Sequence, residues 1–212
     1  MIVVDKYTNQ QVAILGLSET GRSAARSLIA GGADVLMWDD DPIKRTAINI
    51  EGGRIVEPSA KNWRKIQALV LSPGIPLYKP EPHFGVRLAG KLGVEILGDV
   101  ELFARAALKG NITAITGTNG KSTTTSLIGH ILNESGCKAQ IGANLGKPVL
   151  DFDCFDDDGH YVLELSSYQV DLLKNLSPRV VALLNISPDH LDRHGDMPTY
   201  IQAKRRLLDM AL

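Results

Sequence analysis

The chain has 212 residues, 44% hydrophobic and 22% charged, which gives one or two globular domains and excludes both a disordered chain and a fibrous repeat. Lys plus Arg (23) nearly balance Asp plus Glu (24), so no overall field draws nucleic acid or an acidic membrane, and an anionic ligand has to be held locally. Cys137 and Cys154 have no metal-ligand or CxxC spacing and read as packing residues in a reducing cytoplasm. The apolar run 180–184 is far short of the roughly 20 residues a membrane helix needs.

Short Val, Ile and Leu runs alternate with segments of helical period, which predicts an α/β fold of βαβ units with largely parallel sheets. In chain order the pattern predicts a strand over 12–15, a helix over 20–30, a strand over 35–38, a helix over 42–50 and a strand over 68–72. The turn Ser72-Pro73-Gly74-Ile75-Pro76 follows, then a helix over 84–92 and a strand over 94–97. Asp99 reads as an N-cap with Glu101 in the first turn, where the helix dipole favours an acid, and the domain boundary is placed there. The second half repeats the alternation: strand 112–116, a glycine turn, helix 121–134, strands 138–141, 161–165 and 180–186, and a helix over 199–212. That last pattern reaches Leu212 with no Gly or Asn cap, an expectation that the chain is a piece of a longer one.

The strand 112–116 leads through Gly117-Thr118-Asn119-Gly120-Lys121-Ser122-Thr123 into a helix, the order of a phosphate-binding loop. Glycines let backbone amides turn inward as an anion nest, Lys121 reaches terminal phosphates, and Ser122 or Thr123 offers Mg²⁺ a hydroxyl. The strict motif would put its first glycine at position 115, where Ile115 stands, so this is a compressed variant. Near the N-terminus, Gly16-Leu17-Ser18-Glu19-Thr20-Gly21 with Asp39 imitates a dinucleotide fingerprint. Ser18 replaces its middle glycine and Glu19 puts an acid where phosphates would lie, which disfavours NAD. A UDP-linked substrate contacting Thr20, Asp39 and the 72–74 turn and a purely packing glycine turn both stay open.

Glu164 sits near the carboxyl end of a buried-type strand, where it can hold Mg²⁺ or be an ordinary acid. The strand 180–186 delivers Ser187-Pro188-Asp189-His190-Leu191-Asp192-Arg193-His194-Gly195. His190 and His194 have zinc-pair spacing, but Leu191 follows His190, so the general base of a metalloprotease is absent. Lys204, on the last helix, reads alone as a solvated lysine.

Taken in order, the Gly117 to Thr123 loop, Gly142-Ala143-Asn144-Leu145-Gly146, Glu164-Leu165-Ser166-Ser167-Tyr168-Gln169, Asn185 through Arg193, and Tyr200 through Lys204 resemble the Mur ligase family, ATP-dependent amide-forming enzymes of peptidoglycan synthesis. The resemblance runs along the whole chain. It implies a Rossmann-like UDP-substrate-binding domain over 1–97 and, over 98–212, the N-terminal part of a central P-loop-type ATPase domain. It implies a cytoplasmic monomer using ATP and Mg²⁺, with UDP-N-acetylmuramoyl-L-alanine and D-glutamate as substrates and an acyl phosphate between them. By the same resemblance, residues 117–123, namely Gly117, Thr118, Asn119, Gly120, Lys121, Ser122 and Thr123, hold ATP. Ser122, Glu164, His190 and a carbamylated Lys204 serve the metals, and Lys121, His190 and Lys204 are catalytic. Asn144 meets the muramoyl group, and Thr20, Asp39, Ser72 and Gly74 meet the UDP end. One departure is that the acidic run Asp39-Asp40-Asp41 contains no base. Family members carry a third domain that presents the amino acid, so this chain alone is expected not to complete catalysis. Another member of the family, a non-catalytic nucleotide-binding module and an NAD-dependent oxidoreductase are the competing readings.

Overall fold

The structure, a computed structural model, describes residues 1–106, 109–155 and 158–212. It is α/β throughout, with two parallel sheets. The first contains β1 (Gln11–Leu15), β2 (Asp34–Trp38), β3 (Gly53–Ile55), β4 (Ile66–Leu71) and β5 (Glu95–Leu97), in the spatial order β3-β2-β1-β4-β5. Around it lie α1 (Glu19–Ala30), α2 (Pro42–Ala47) and α3 (Phe84–Lys91). The chain moves outward from β1 to β2 and β3, then returns to the other side of β1 as β4. That reversal opens a crevice at the carboxyl ends of β1 and β4, where doubly wound sheets take their ligands.

After α4 (Asp99–Arg105) comes the second sheet, built from β6 (Asn111–Thr116), β7 (Ala139–Ala143), β8 (His160–Glu164) and β9 (Val180–Leu183) in the order β7-β8-β6-β9. Helices α5 (Lys121–Glu134), α6 (Ser167–Asp171), α7 (Leu191–His194) and α8 (Met197–Leu208) complete it, with one 3₁₀ turn at Val149–Asp151. β6 pairs with β8 on one side and β9 on the other, so the loops leaving all three meet at one end. The continuous apolar runs of β1, β4 and β8 follow from cover on both faces: Val12 to Leu15 and Tyr161 to Leu163 are fully buried.

One apolar core crosses both sheets. It joins Ile2, Val12, Ile14 and Leu28 of the first half to Leu150, Phe152, Tyr161 and Leu163 of the second, with Phe103 of α4 edge-on to Phe152 and Tyr161. At its rim Arg26 and Ser23 of α1 both bond Asp151 (2.9 and 2.8 Å). Arg105 bridges Glu95 and Glu101, whose carboxylate accepts the amides of Lys174 and Asn175.

Several expectations are corrected. Gly98, not Asp99, is the N-cap of α4, because Asp99 already has helical backbone and its carboxyl is wholly buried. The last helix stops at Leu208, and the Leu212 amide turns back to Pro178 O. Cys154 is exposed and so does not pack; Cys137 is partly buried, and both are free thiols. Among the described residues no helix is long and apolar enough to cross a membrane.

Candidate functional site

The first cleft, about 380 Å³, lies in the crevice between β1 and β4. Thr20, Asp39, Ser72, Gly74 and Asn144, five residues singled out from the sequence for one substrate, all line it. Glycine is required at its base. A Cβ on Gly21 would stand 1.9 Å from Gly16 O, and one on Gly16 (φ +95°) 2.6 Å from Ser72 Cβ. The Ser72 hydroxyl donates to Gly16 O (3.0 Å), tying the two turns together. Asp39 supports the turn from below, accepting the amides of Leu17 (2.7 Å) and Asp41 (2.9 Å). Burial alone would raise its carboxyl, but those amides and Lys44 hold it below the ordinary value. Its oxygens are thus largely engaged within the protein.

The base absent from the acidic run arrives from α2. Lys44 Nζ lies 3.5 Å from both Asp39 Oδ2 and Ser18 Oγ and lines the cleft, while Arg45 stacks on Trp38 and donates to Asp39 O and Asp40 O.

The second cleft, about 270 Å³, is lined by Lys121, Asn144, Ser166, Ser167, Tyr168, Asp189, His190, Tyr200 and Lys204. Beside it runs the 117–123 loop, with Gly117 (φ +150°) and Gly120 (φ +82°) in conformations side chains rarely adopt. Asn185 clamps this loop: its carbonyl takes the Thr118 amide, its side chain takes the Asn119 amide (2.9 Å) and gives back to Asn119 O (3.0 Å). Thr118 Oγ1 meets Tyr200 Oη (3.0 Å) and accepts the Ser187 amide. The amides of Lys121, Ser122 and Thr123 open α5 and have no carbonyl partner among the described residues, leaving the positive end of the helix clear. Lys121 Nζ folds over the loop onto Thr118 O (2.8 Å).

Glu164, 3% exposed, receives Ser122 Oγ on one oxygen (2.7 Å) and Asn144 Nδ2 on the other (2.8 Å). A buried carboxylate faced only by neutral donors, one of them a hydroxyl at the phosphate loop, is a donor set of hard oxygens that fits Mg²⁺. The other two residues assigned to metal are held by other partners. His190, in left-handed conformation (φ 51°), lies 3.4 Å from Asp189, and Lys204 donates to Gly117 O (2.8 Å). Among the described residues no three His, Cys, Asp or Glu side chains gather as a metal site. Lys204 is 2% exposed; burial, then the charge of Lys121, lowers its pKa to about 8. A bare ammonium does not fit a cation here, whereas a carbamate on that nitrogen would.

Asn144 lines both clefts, so they meet there. His194 donates or accepts at Ser167 (2.8 Å) and stacks on Tyr168, so it is a packing partner and zinc-pair chemistry with His190 has no support in its contacts. Sequence reasoning gave no role to Lys44, to Gln169, which lines the first cleft, or to Asn185, which clamps the loop. Gln169 was detectable, since Ser166 and Gln169 have the spacing of the capping box they form at α6. Lys44 carries no local signal.

Residues 115–211 match the family model of the Mur ligase middle domain. The chain is 53% identical over 213 residues to the UDP-N-acetylmuramoylalanine--D-glutamate ligase of Caulobacter vibrioides, covering 98% of this chain and 45% of that protein. It is 50% identical to the protein of the same name from Phenylobacterium zucineum, covering 98% of this chain and 46% of the relative. The chain thus spans about half the length of these relatives. Among solved structures, a UDP-N-acetylmuramate:L-alanyl-gamma-D-glutamyl-meso-diaminopimelate ligase from Neisseria meningitides superposes with a TM-score of 0.59 at 19% identity, covering 96% of this chain and 68% of that one, a likeness of fold.

Proposed function

We infer that the chain belongs to the Mur ligase family and carries the substrate and nucleotide sites of an ATP-dependent ligase of peptidoglycan synthesis, one that joins D-glutamate to UDP-N-acetylmuramoyl-L-alanine. The observation that carries this reading is the meeting of the two clefts at Asn144. A long substrate with a nucleoside diphosphate at one end and a carboxylate at the other would lie in the first cleft with its carboxylate at the mouth of the second. Residues 1–97 would form the first domain and 98–212 part of the second.

In this reading the loop amides of residues 117–123 and Lys121 hold the phosphates, and the substrate carboxylate attacks the γ-phosphorus. The P–O bond to ADP breaks, leaving an acyl phosphate, and the amine of D-glutamate then displaces phosphate and loses a proton. The chain's part is positioning and charge stabilisation, from Lys121, the α5 N-terminus and His190. Ser122 and Glu164 would hold Mg²⁺, which supplies charge neutralisation on the phosphate oxygens. A carbamate on Lys204, formed when its neutral amine adds to CO₂ and releases a proton, would with His190 offer a second metal position.

Calorimetric titration with UDP-N-acetylmuramoyl-L-alanine, ATP with Mg²⁺, and NADH tests the reading. Binding of the first two and not of NADH is expected. NADH binding without binding of the UDP ligand would overturn it.

A further inference from the structure

We propose that Arg193 is a positioning residue that fixes the substrate turn of the first sheet to the histidine loop of the second, so that the two clefts keep one relative geometry. Its guanidinium donates through Nη1 to Gly74 O (3.3 Å) and through Nη2 to Ile75 O (3.0 Å). The same plane lies 4.6 Å over the ring of Tyr168. Tyr168 in turn contacts His190 (5.1 Å between ring centres) and stacks on His194 (5.5 Å). Arg193 therefore holds at once the turn that lines the first cleft and the tyrosine and histidine that line the second. It stands three residues after His190, on α7, a helix of four residues.

The chemistry asks for arginine. Two adjacent carbonyls need a planar fork, and the tyrosine face needs a flat cation; a lysine ammonium supplies the charge without either match. The role thus differs from simple electrostatics, and the two substitutions separate them. The ligand part of the test rests on the function proposed above.

Arg193→Ala and Arg193→Lys are compared with the unaltered chain by titration with UDP-N-acetylmuramoyl-L-alanine and, separately, with ATP and Mg²⁺. Expected is a roughly tenfold loss of affinity for the UDP ligand in both variants, of the size of a lost charge-assisted hydrogen bond, with ATP affinity unchanged. Hydrogen exchange gives a readout without any ligand. The Ile75 amide, bonded to Ser72 O at 3.0 Å, should exchange faster in both variants while α5 keeps its protection. Unchanged exchange at Ile75, a lysine variant indistinguishable from the unaltered chain, or a parallel loss of both affinities would overturn the proposal. An unaltered chain that ignores the UDP ligand would count against the function proposed above, and the exchange result would still decide on Arg193.

Discussion

Lys204 is a long cation folded into the interior with a carbonyl and a hydroxyl as partners. With its pKa lowered to about 8, roughly a tenth of the side chain is neutral at pH 7, far more than for a free lysine. Neutral amine is the form that adds to CO₂. In ¹³C-bicarbonate a carbamate resonance should therefore grow as pH rises from 7 to 8.5 and be missing from Lys204→Ala; no signal in the unaltered chain would exclude the modification. Asp99 is the opposite case, an acid whose burial lifts its pKa to about 6 against the amides of Val100 and its own residue and the Gln169 side chain. Neither of its oxygens has a hydrogen-bond partner of normal geometry. Because the folded state binds this proton more tightly than the unfolded one, its contribution to stability falls as pH rises from about 4 to about 6 and stays low above that. Asp99→Asn should raise stability at pH 8 by about 1–3 kcal/mol, and by little at pH 4, as read from urea midpoints.

At the scale of elements, the two glycine turns are where geometry is least forgiving. Gly21→Ala places a methyl against a backbone carbonyl that the Ser72 hydroxyl holds in place, so α1 must lift away from β1. The cost should be about 1–3 kcal/mol, with weakened binding of the UDP ligand; a neutral substitution in thermal melts would mean that the turn yields more easily than its contacts imply. These turns were readable in the sequence because each joins an apolar run to a helical one, and the helix Lys121–Glu134 was bounded correctly by the glycine before it. β3 was not readable: it has three residues at a sheet edge, two of them exposed, so no alternation develops. α6 and α7 are single turns held by a capping box and by neighbours, below the length at which periodicity shows. In the site, Lys121, Asn144, His190 and Lys204 line one cleft, while Ser122 and Glu164 pair with each other. Lys44 and Arg193 did not announce themselves, because Ser18 lies 26 positions from Lys44 and the two carbonyls that Arg193 holds lie 118 and 119 positions from it.

For the whole molecule, a core shared by both sheets, with α1 fastened to the second half through Asp151, means that neither half keeps its apolar surface covered without the other. The chain should unfold in one cooperative step. Both tryptophans, Trp38 and Trp63, lie in the first half, whereas the helical signal comes from the entire chain. Fluorescence and far-ultraviolet dichroism should therefore give the same urea midpoint; separated midpoints would show that the halves melt independently.

The second cleft also has a practical meaning at the bench. Lys121, Lys204 and His190 face one hollow beside the free end of α5, with Asp189 as counterweight. Such a basin gathers any small tetrahedral oxyanion. Orthophosphate buffer or ammonium sulfate would act there as a silent competitor, and nucleotide titrations in those media should return weaker constants than the same titrations in a zwitterionic buffer of equal ionic strength.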